Sequence, residues 1–290
     1  MKILPDSGMP MRENAIQMIP LRTCALSIIA SNLLKHRQLA WEMTLREIRD
    51  RYAGQVFGSM WAIGHPLFLM AIYLVIFNFV FPGRVGGTYE MPRNLTTYIL
   101  SGLVPWLTFQ DVLSRSPTSI SSNANLVKQV VFPVEILPIR TVLSTMPNLF
   151  IGILILAGYI LFKEHSLPWT FLLFPVLVFI QILAMTGVAY LFATVGVYFR
   201  DLKDIVTVFN AANLFMMPVL FTPGVLPGYI ESAFYLNPFS YMVWCYQDIF
   251  YYGRFEHPAA WLVFATGSLA LLSASAKLFL KTRSMLGNVL

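Results

Sequence analysis

The sequence predicts an all-α integral membrane protein, and three observations carry the prediction. Of 290 residues, 57% are hydrophobic and 12% are charged, against about 25% charged in soluble domains. Long stretches carry no Asp, Glu, Lys or Arg: 24 residues from Gly58 to Phe81, 22 from Thr141 to Phe162 and 34 from Ser166 to Phe199. A helix rises about 1.5 Å per residue, so ~20 residues cross a hydrocarbon core of roughly 30 Å. The charges that remain are sorted by segment, lysine and arginine above all.

The elements follow in order. Residues 1–20 lack the apolar run of a signal peptide and read as a flexible cytosolic tail. From Leu21 to Tyr52 the chain is basic and amphipathic. Trp41, Leu45, Ile48 and Tyr52 recur at i, i+4, i+7 and i+11, which puts them on one helical face. Glu42/Arg46 and Glu47/Arg51 are spaced for intrahelical pairing. This predicts an N-terminal amphipathic helix lying in the interface and leading into the first span.

Six spans are expected, at about residues 58–81, 95–113, 141–162, 171–197, 205–221 and 259–276. Ser116–Pro138 is polar and then apolar, with a short surface helix expected over about Ile120–Val130. Between spans five and six, Pro223, Pro227 and Pro238 divide an aromatic stretch into pieces too short to cross, which predicts re-entrant outer helices. With both termini cytoplasmic, 16 of the 20 lysines and arginines fall on the inner side, the positive-inside pattern.

The sequence holds no GxxxxGK[ST] loop to cradle a nucleotide and no HExxH or CxxC. No metal site and no catalytic residue is expected, and the net charge of +6 fits anionic lipid headgroups better than nucleic acid. The spans lack carboxylates apart from Asp111 near an end, which argues against an ion-driven transporter. A membrane glycosyltransferase needs carboxylates at the membrane edge, and only Glu42–Asp50 and Asp201–Asp204 supply clusters.

LREIRDRYAGQVFGSMWAIGHPLFLMAIYLVIFNFVF, LSGLVPWLTFQDVL, NANLVKQVVFPVEILP, VYFRDLKDI and the surroundings of LNPFSYM occur in that order. In these motifs the chain from about Leu21 onward resembles permease subunits of ABC-2 type exporters of lipid-linked polysaccharide (O-antigen, teichoic acid and capsule). It departs from many relatives at Gln55 and His65, where Ser and Asn are common. The resemblance implies a multi-pass protein of the bacterial inner membrane, not itself an enzyme. Its partners would be a second copy of itself and two ATPase subunits carrying ATP and magnesium, and its substrate a lipid-linked polysaccharide moved through a homodimeric channel. An ABC-2 exporter of drugs or small lipids is the alternative within the same fold.

The resemblance also assigns residues. Ser121, Asn123, Asn125, Leu126 and Lys128 match the helix that couples to the ATPase. Trp41, Arg46, Arg49, Arg51 and Tyr52 match the interface and gate helix, whose guanidinium groups suit a carrier phosphate or simply anionic headgroups. Trp61, Tyr73, Phe77, Phe209 and Phe215 are channel-lining candidates, offering flat rings to sugars. Tyr229, Phe234, Tyr235, Phe239 and Tyr241 fall in the stretch matching the outer gate helices.

Overall fold

The computed structural model describes residues 25–51, 53–76, 79, 93–128, 132–221 and 227–289. The tail over residues 1–20, most of the loop after the first apolar segment, Tyr52 and Phe77 lie outside the described residues, as do the side chain of Tyr229 and residues 222–226. The described residues form helices, turns and irregular chain, with no strand among them.

Two short helices open the fold, α1 (Ala25–Lys35) and α2 (Arg37–Asp50), followed by α3 (Trp61–Val75). At its centre is α4 (Leu95–Arg115), 21 residues or roughly 31 Å long. It packs against α6 (Ile136–Glu164), α7 (Phe174–Tyr198), α8 (Leu202–Asn213) and α10 (Pro238–Gln247). Two of its buried hydroxyls are served by its own backbone: Ser101 Oγ donates to the Tyr98 carbonyl at 2.7 Å and Thr108 Oγ1 to Val104 at 3.3 Å. The remaining helices are the single turn α5 (Ala124–Val127), α9 (Gly228–Phe234) and α11 (Pro258–Val289).

Among the described residues, three stretches are long and apolar enough to cross a bilayer: Ile136–Glu164, Trp169–Tyr198 and Pro258–Arg283. The first of these ends where His165 turns left-handed at φ 58°, a conformation His adopts more readily than most residues. α7 and α11 lie against each other at Gly187, where a Cβ would sit 2.9 Å from the Leu272 backbone nitrogen. A small residue there lets the two backbones approach closely.

Over residues 205–221 the structure differs from the single helix expected. α8 stops at Asn213, one 3-10 turn covers Leu214–Met216, and Met217 is extended at φ −128°, ψ 155°. Pro218 is the reason, because a proline biases the residue before it away from the helical region. The segment still runs the length of α4. Asn210 Nδ2 donates to Ser114 Oγ at 2.9 Å near one end, and the Phe221 carbonyl accepts from Tyr98 at 3.1 Å near the other.

The chain then dips and returns. Phe239 meets Trp106 and Phe109 halfway along α4, with ring centroids at 5.3 and 5.1 Å. α10 climbs from there, antiparallel to α4, until Tyr251 meets Tyr98 at 5.0 Å. Asn237 sets the turning point. It caps α10 by accepting from Phe239 N at 3.0 Å, and its amide donates to Asn213 Oδ1 at 2.7 Å and to the Met216 carbonyl at 2.9 Å.

The bundle thus has two unlike ends. One, the basic end, gathers α1, α2, residues 116–128 and 132–135, and the last turns of α11. The other, the aromatic end, holds residues 93–95, 165–173 and 248–257.

Candidate functional site

At the basic end, α2 presents two stripes of opposite character. The apolar stripe faces away from the chain, with Trp41 58% and Leu45 36% exposed, while Ala40 and Thr44 are 6% and 1% exposed and face the protein. Ala40, Thr44, Glu47 and Arg51 also recur at i, i+4, i+7 and i+11, so a small and charged stripe makes the inward contact with α6.

The intrahelical pairs expected from spacing do not form. Glu47 reaches across helices: Arg115 of α4 donates to its Oε1, Ser144 Oγ of α6 does so at 3.3 Å, and Arg140 of α6 lies 3.0 Å from Oε2. Arg51 pairs instead with Asp111 at 3.2 Å, Arg46 with Asp50 at 3.3 Å, and Glu42 accepts from Gln38 at 3.0 Å. The reason is burial: a carboxylate removed from water gains more from two guanidinium groups than from one exposed neighbour. Of the three arginines assigned to phosphate, Arg46 and Arg49 are exposed and Arg51 points inward.

The residues matched to ATPase coupling form a compact knob. A 3-10 turn over Ser116–Thr118 and another over Ser121–Asn123 lead into α5, which is capped at Lys128. The surface helix expected over 120–130 is therefore tighter and shorter among the described residues. Serine and asparagine side chains explain this by back-bonding to nearby carbonyls: Ser119 to Ser116 at 2.8 Å, Ser122 to Thr118 at 2.7 Å and Asn123 to Ser119 at 2.9 Å. Ile120 and Val127 insert into an apolar cluster with Ile29, Leu137, Tyr190 and Phe279. Asn125 and Lys128 point to solvent, and Ser121, Asn123 and Leu126 are half-buried. Pro117 lies directly on α7, where a Cβ on Gly196 would be 2.0 Å from its carbonyl oxygen.

Beside this knob a cavity of about 450 Å³ opens between α3, α4 and α6. Arg51, Gln55, His65, Gln110, Asp111 and Ser114 line its end nearer α2. Leu69, Met70, Val104 and Leu107 line the deeper part, so its polarity falls along the bundle axis. The channel-lining candidates are not gathered here. Trp61 packs on Phe57 and Phe68 with centroids at 5.8 and 6.0 Å, and Tyr73 is half-buried on the same helix, α3. Phe209 and Phe215 belong to the segment against α4, both exposed, with Phe209 touching Phe239 at 5.9 Å.

At the aromatic end, Phe234 is buried and stacks on Phe221 at 6.5 Å. Tyr235 and Tyr241 both pack on Trp244, at 4.8 and 5.4 Å, and the Tyr241 hydroxyl donates to the Tyr235 carbonyl at 2.7 Å. Sequence reasoning missed the centre of this region. Asp248 is 1% exposed, and its carboxylate accepts from Trp261 Nε1 at 3.0 Å and from the His257 amide at 3.2 Å, with His257 Nδ1 also 3.0 Å away. A lone carboxylate inside YQDIFYY was the available signal, since a charge in an apolar run demands partners. Asp248→Ala strands these donors and is expected to cost about 2 kcal/mol, read as a lower melting temperature in detergent, with Asp248→Asn intermediate.

Bilayer-length helices around a buried central helix, with a polar knob socketed at one end, define a polytopic membrane protein. The chain belongs to the ABC-2 type transporter family, whose profile matches residues 38–251, and it is accordingly a transport component. Over 255 residues it is 28% identical to the O-antigen export system permease protein RfbA of Myxococcus xanthus, covering 87% of this chain and 95% of that one. A protein of the same name from Klebsiella pneumoniae is 26% identical, over 78% and 85% of the two chains. The polysialic acid transport protein KpsM of Escherichia coli is 25% identical, over 69% and 76%.

Proposed function

We propose that the chain is the membrane permease of an ATP-driven exporter that moves a lipid-linked polysaccharide, O-antigen-like in kind, outward across the inner membrane. The observation that carries this reading is the near full-length similarity to O-antigen export permeases. Two copies would form the channel and two separate ATPase subunits, binding ATP and magnesium, would dock at the basic end. The solvent-facing Asn125 and Lys128 on a knob held together by its own serine and asparagine side chains suit such docking. Both termini would be cytoplasmic and the chain would cross six times, the fifth crossing being α8 and its non-helical continuation to Phe221. The dip of the chain to Phe239 and its return along α10 support re-entrant outer helices, with Phe234, Tyr235, Phe239 and Tyr241 at the gate. The cavity beside α2 is read as one chain's share of the entrance, and Arg46 and Arg49 as surface contacts for phosphate-bearing lipid.

The test is reconstitution in proteoliposomes. The purified permease alone is expected to hydrolyse no ATP, because its sequence lacks a phosphate loop. With its ATPase subunit it should move a polyprenyl-linked glycan, and neither a fluorescent drug nor a short-chain phospholipid. Turnover by the permease alone, or transport of the small substrates in place of the glycan, would overturn the reading.

A further inference from the structure

Glu135 stands in VVFPVEILP, the run that leads out of the knob into α6. It is 1% exposed, and elements from three parts of the chain converge on it. Arg283, near the end of α11, lies 2.5 Å from Oε1. Asn32 of α1 donates to the same oxygen at 3.2 Å, and the Tyr190 hydroxyl of α7 donates to the Glu135 carbonyl at 2.8 Å. Tyr190 in turn packs edge-on against Phe279 of α11 at 5.0 Å. Oε2 is buried without a hydrogen-bond partner.

That bare oxygen is informative. A buried carboxylate with one oxygen paired is a poor stabilising device, since desolvation offsets much of the Coulomb gain. A glutamine would keep the volume and the contact with Asn32 without burying a charge. The charge serves Arg283, the group that ties the far end of the chain to the exit of the knob. At the knob's other side, Arg115 and Arg140 meet on Glu47 and fasten α2 there, while Glu135 and the apolar cluster beneath it join α1 and the last turns of α11 to the exit of the knob.

We infer that the Glu135–Arg283 pair is a strut that carries displacement of the 116–128 knob, through the apolar cluster that Ile120, Val127 and Val134 share, into α1 and α11, making Glu135 a positioning residue for the coupling of ATP hydrolysis to export. This rests on the proposed docking of the ATPase at the knob. Arg283→Gln removes the charge pair from the exposed helix end and spares the core, Glu135→Gln removes it from the buried side, and the double variant closes the cycle.

In proteoliposomes containing the ATPase, glycan exported per ATP hydrolysed should fall by about fivefold or more in each single variant. The double variant should be no worse than the worse single, and ATPase co-purification should not change. A second readout needs no ATPase. With Cys24 and Cys245 replaced by alanine, spin labels at Asn125→Cys and Lys281→Cys should give one narrow distance distribution, which Arg283→Gln broadens. An unchanged export ratio overturns the strut whatever the labels show, because the pair is then only an anchor. If the unaltered complex exports no glycan, the proposed function fails and the labels decide: an unbroadened distribution overturns the strut, and a broadened one upholds the mechanical link between knob and α11.

Discussion

Gly196→Ala is expected to cost about 3 kcal/mol or more, seen as a collapse in the yield of folded protein and in its melting temperature. The added Cβ would stand 2.0 Å from the carbonyl oxygen of Pro117 and 2.7 Å from its carbonyl carbon. Both are backbone atoms, so no side chain can swing aside. Pro117 cannot retreat either, being held in the 3-10 turn that begins the knob and followed by Ile120, which is fully buried. Either α7 or the knob must move, and both lie in the apolar cluster at the basic end. Gly158→Ala in α6 is the control. Nothing lies within 4 Å of its Cβ position, so the gain in helix propensity over glycine, about 0.5–1 kcal/mol, should leave it neutral or slightly stabilised. Equal losses in the two variants would show that the close approach at Gly196 is not the cause.

The contrast between these glycines shows what could be read from the sequence and what could not. Length and the absence of charge point to the helices α6, α7 and α11, because a bilayer imposes both on any crossing helix. The order of five short motifs was enough for the family. Gly196 and Gly158 look alike in sequence, however, since what separates them is a backbone 79 residues away in the chain. The same holds for the charges. Spacing on α2 offers Glu47 to Arg51, but Glu47 finds Arg115 and Arg140, and Arg51 finds Asp111. Local pairing rules apply to solvated helices, and at a packed interface the buried partners prevail. α2 also shows why an apolar stripe alone does not reveal the inward face. In a membrane protein an exposed Trp41 and Leu45 meet lipid at no cost, so the charged stripe is free to face the protein. The break before Pro218 was readable from the proline, but the surrounding apolar run concealed it.

Glu47→Ala is expected to have the second large effect, a loss of about 3 kcal/mol. The loss comes from what is left behind. Arg115 and Arg140 come from α4 and α6, and both sit against the Glu47 carboxylate, with Ser144 completing the contact. Without it Arg115 keeps the neutral Ser144 Oγ at 3.3 Å and, as its remaining carboxylate, Asp111, 3.6 Å away and already shared with Arg51 at 3.2 Å. Arg140 has no other ion-pair partner among the described residues. Two guanidinium groups would then repel each other at a half-buried site where water enters poorly. Glu47→Gln should lie between wild type and alanine, because the amide oxygen can still accept from Ser144 or Arg115 while the charge is gone. Removing a stranded partner should help: Glu47→Ala with Arg140→Met is expected to melt above Glu47→Ala alone, since deleting both members of a buried pair is milder than deleting one. If the double variant melts at the sum of the two single losses, Glu47 and Arg140 are not coupled, and Glu47 holds α2 to the bundle through Arg115 and Ser144 instead.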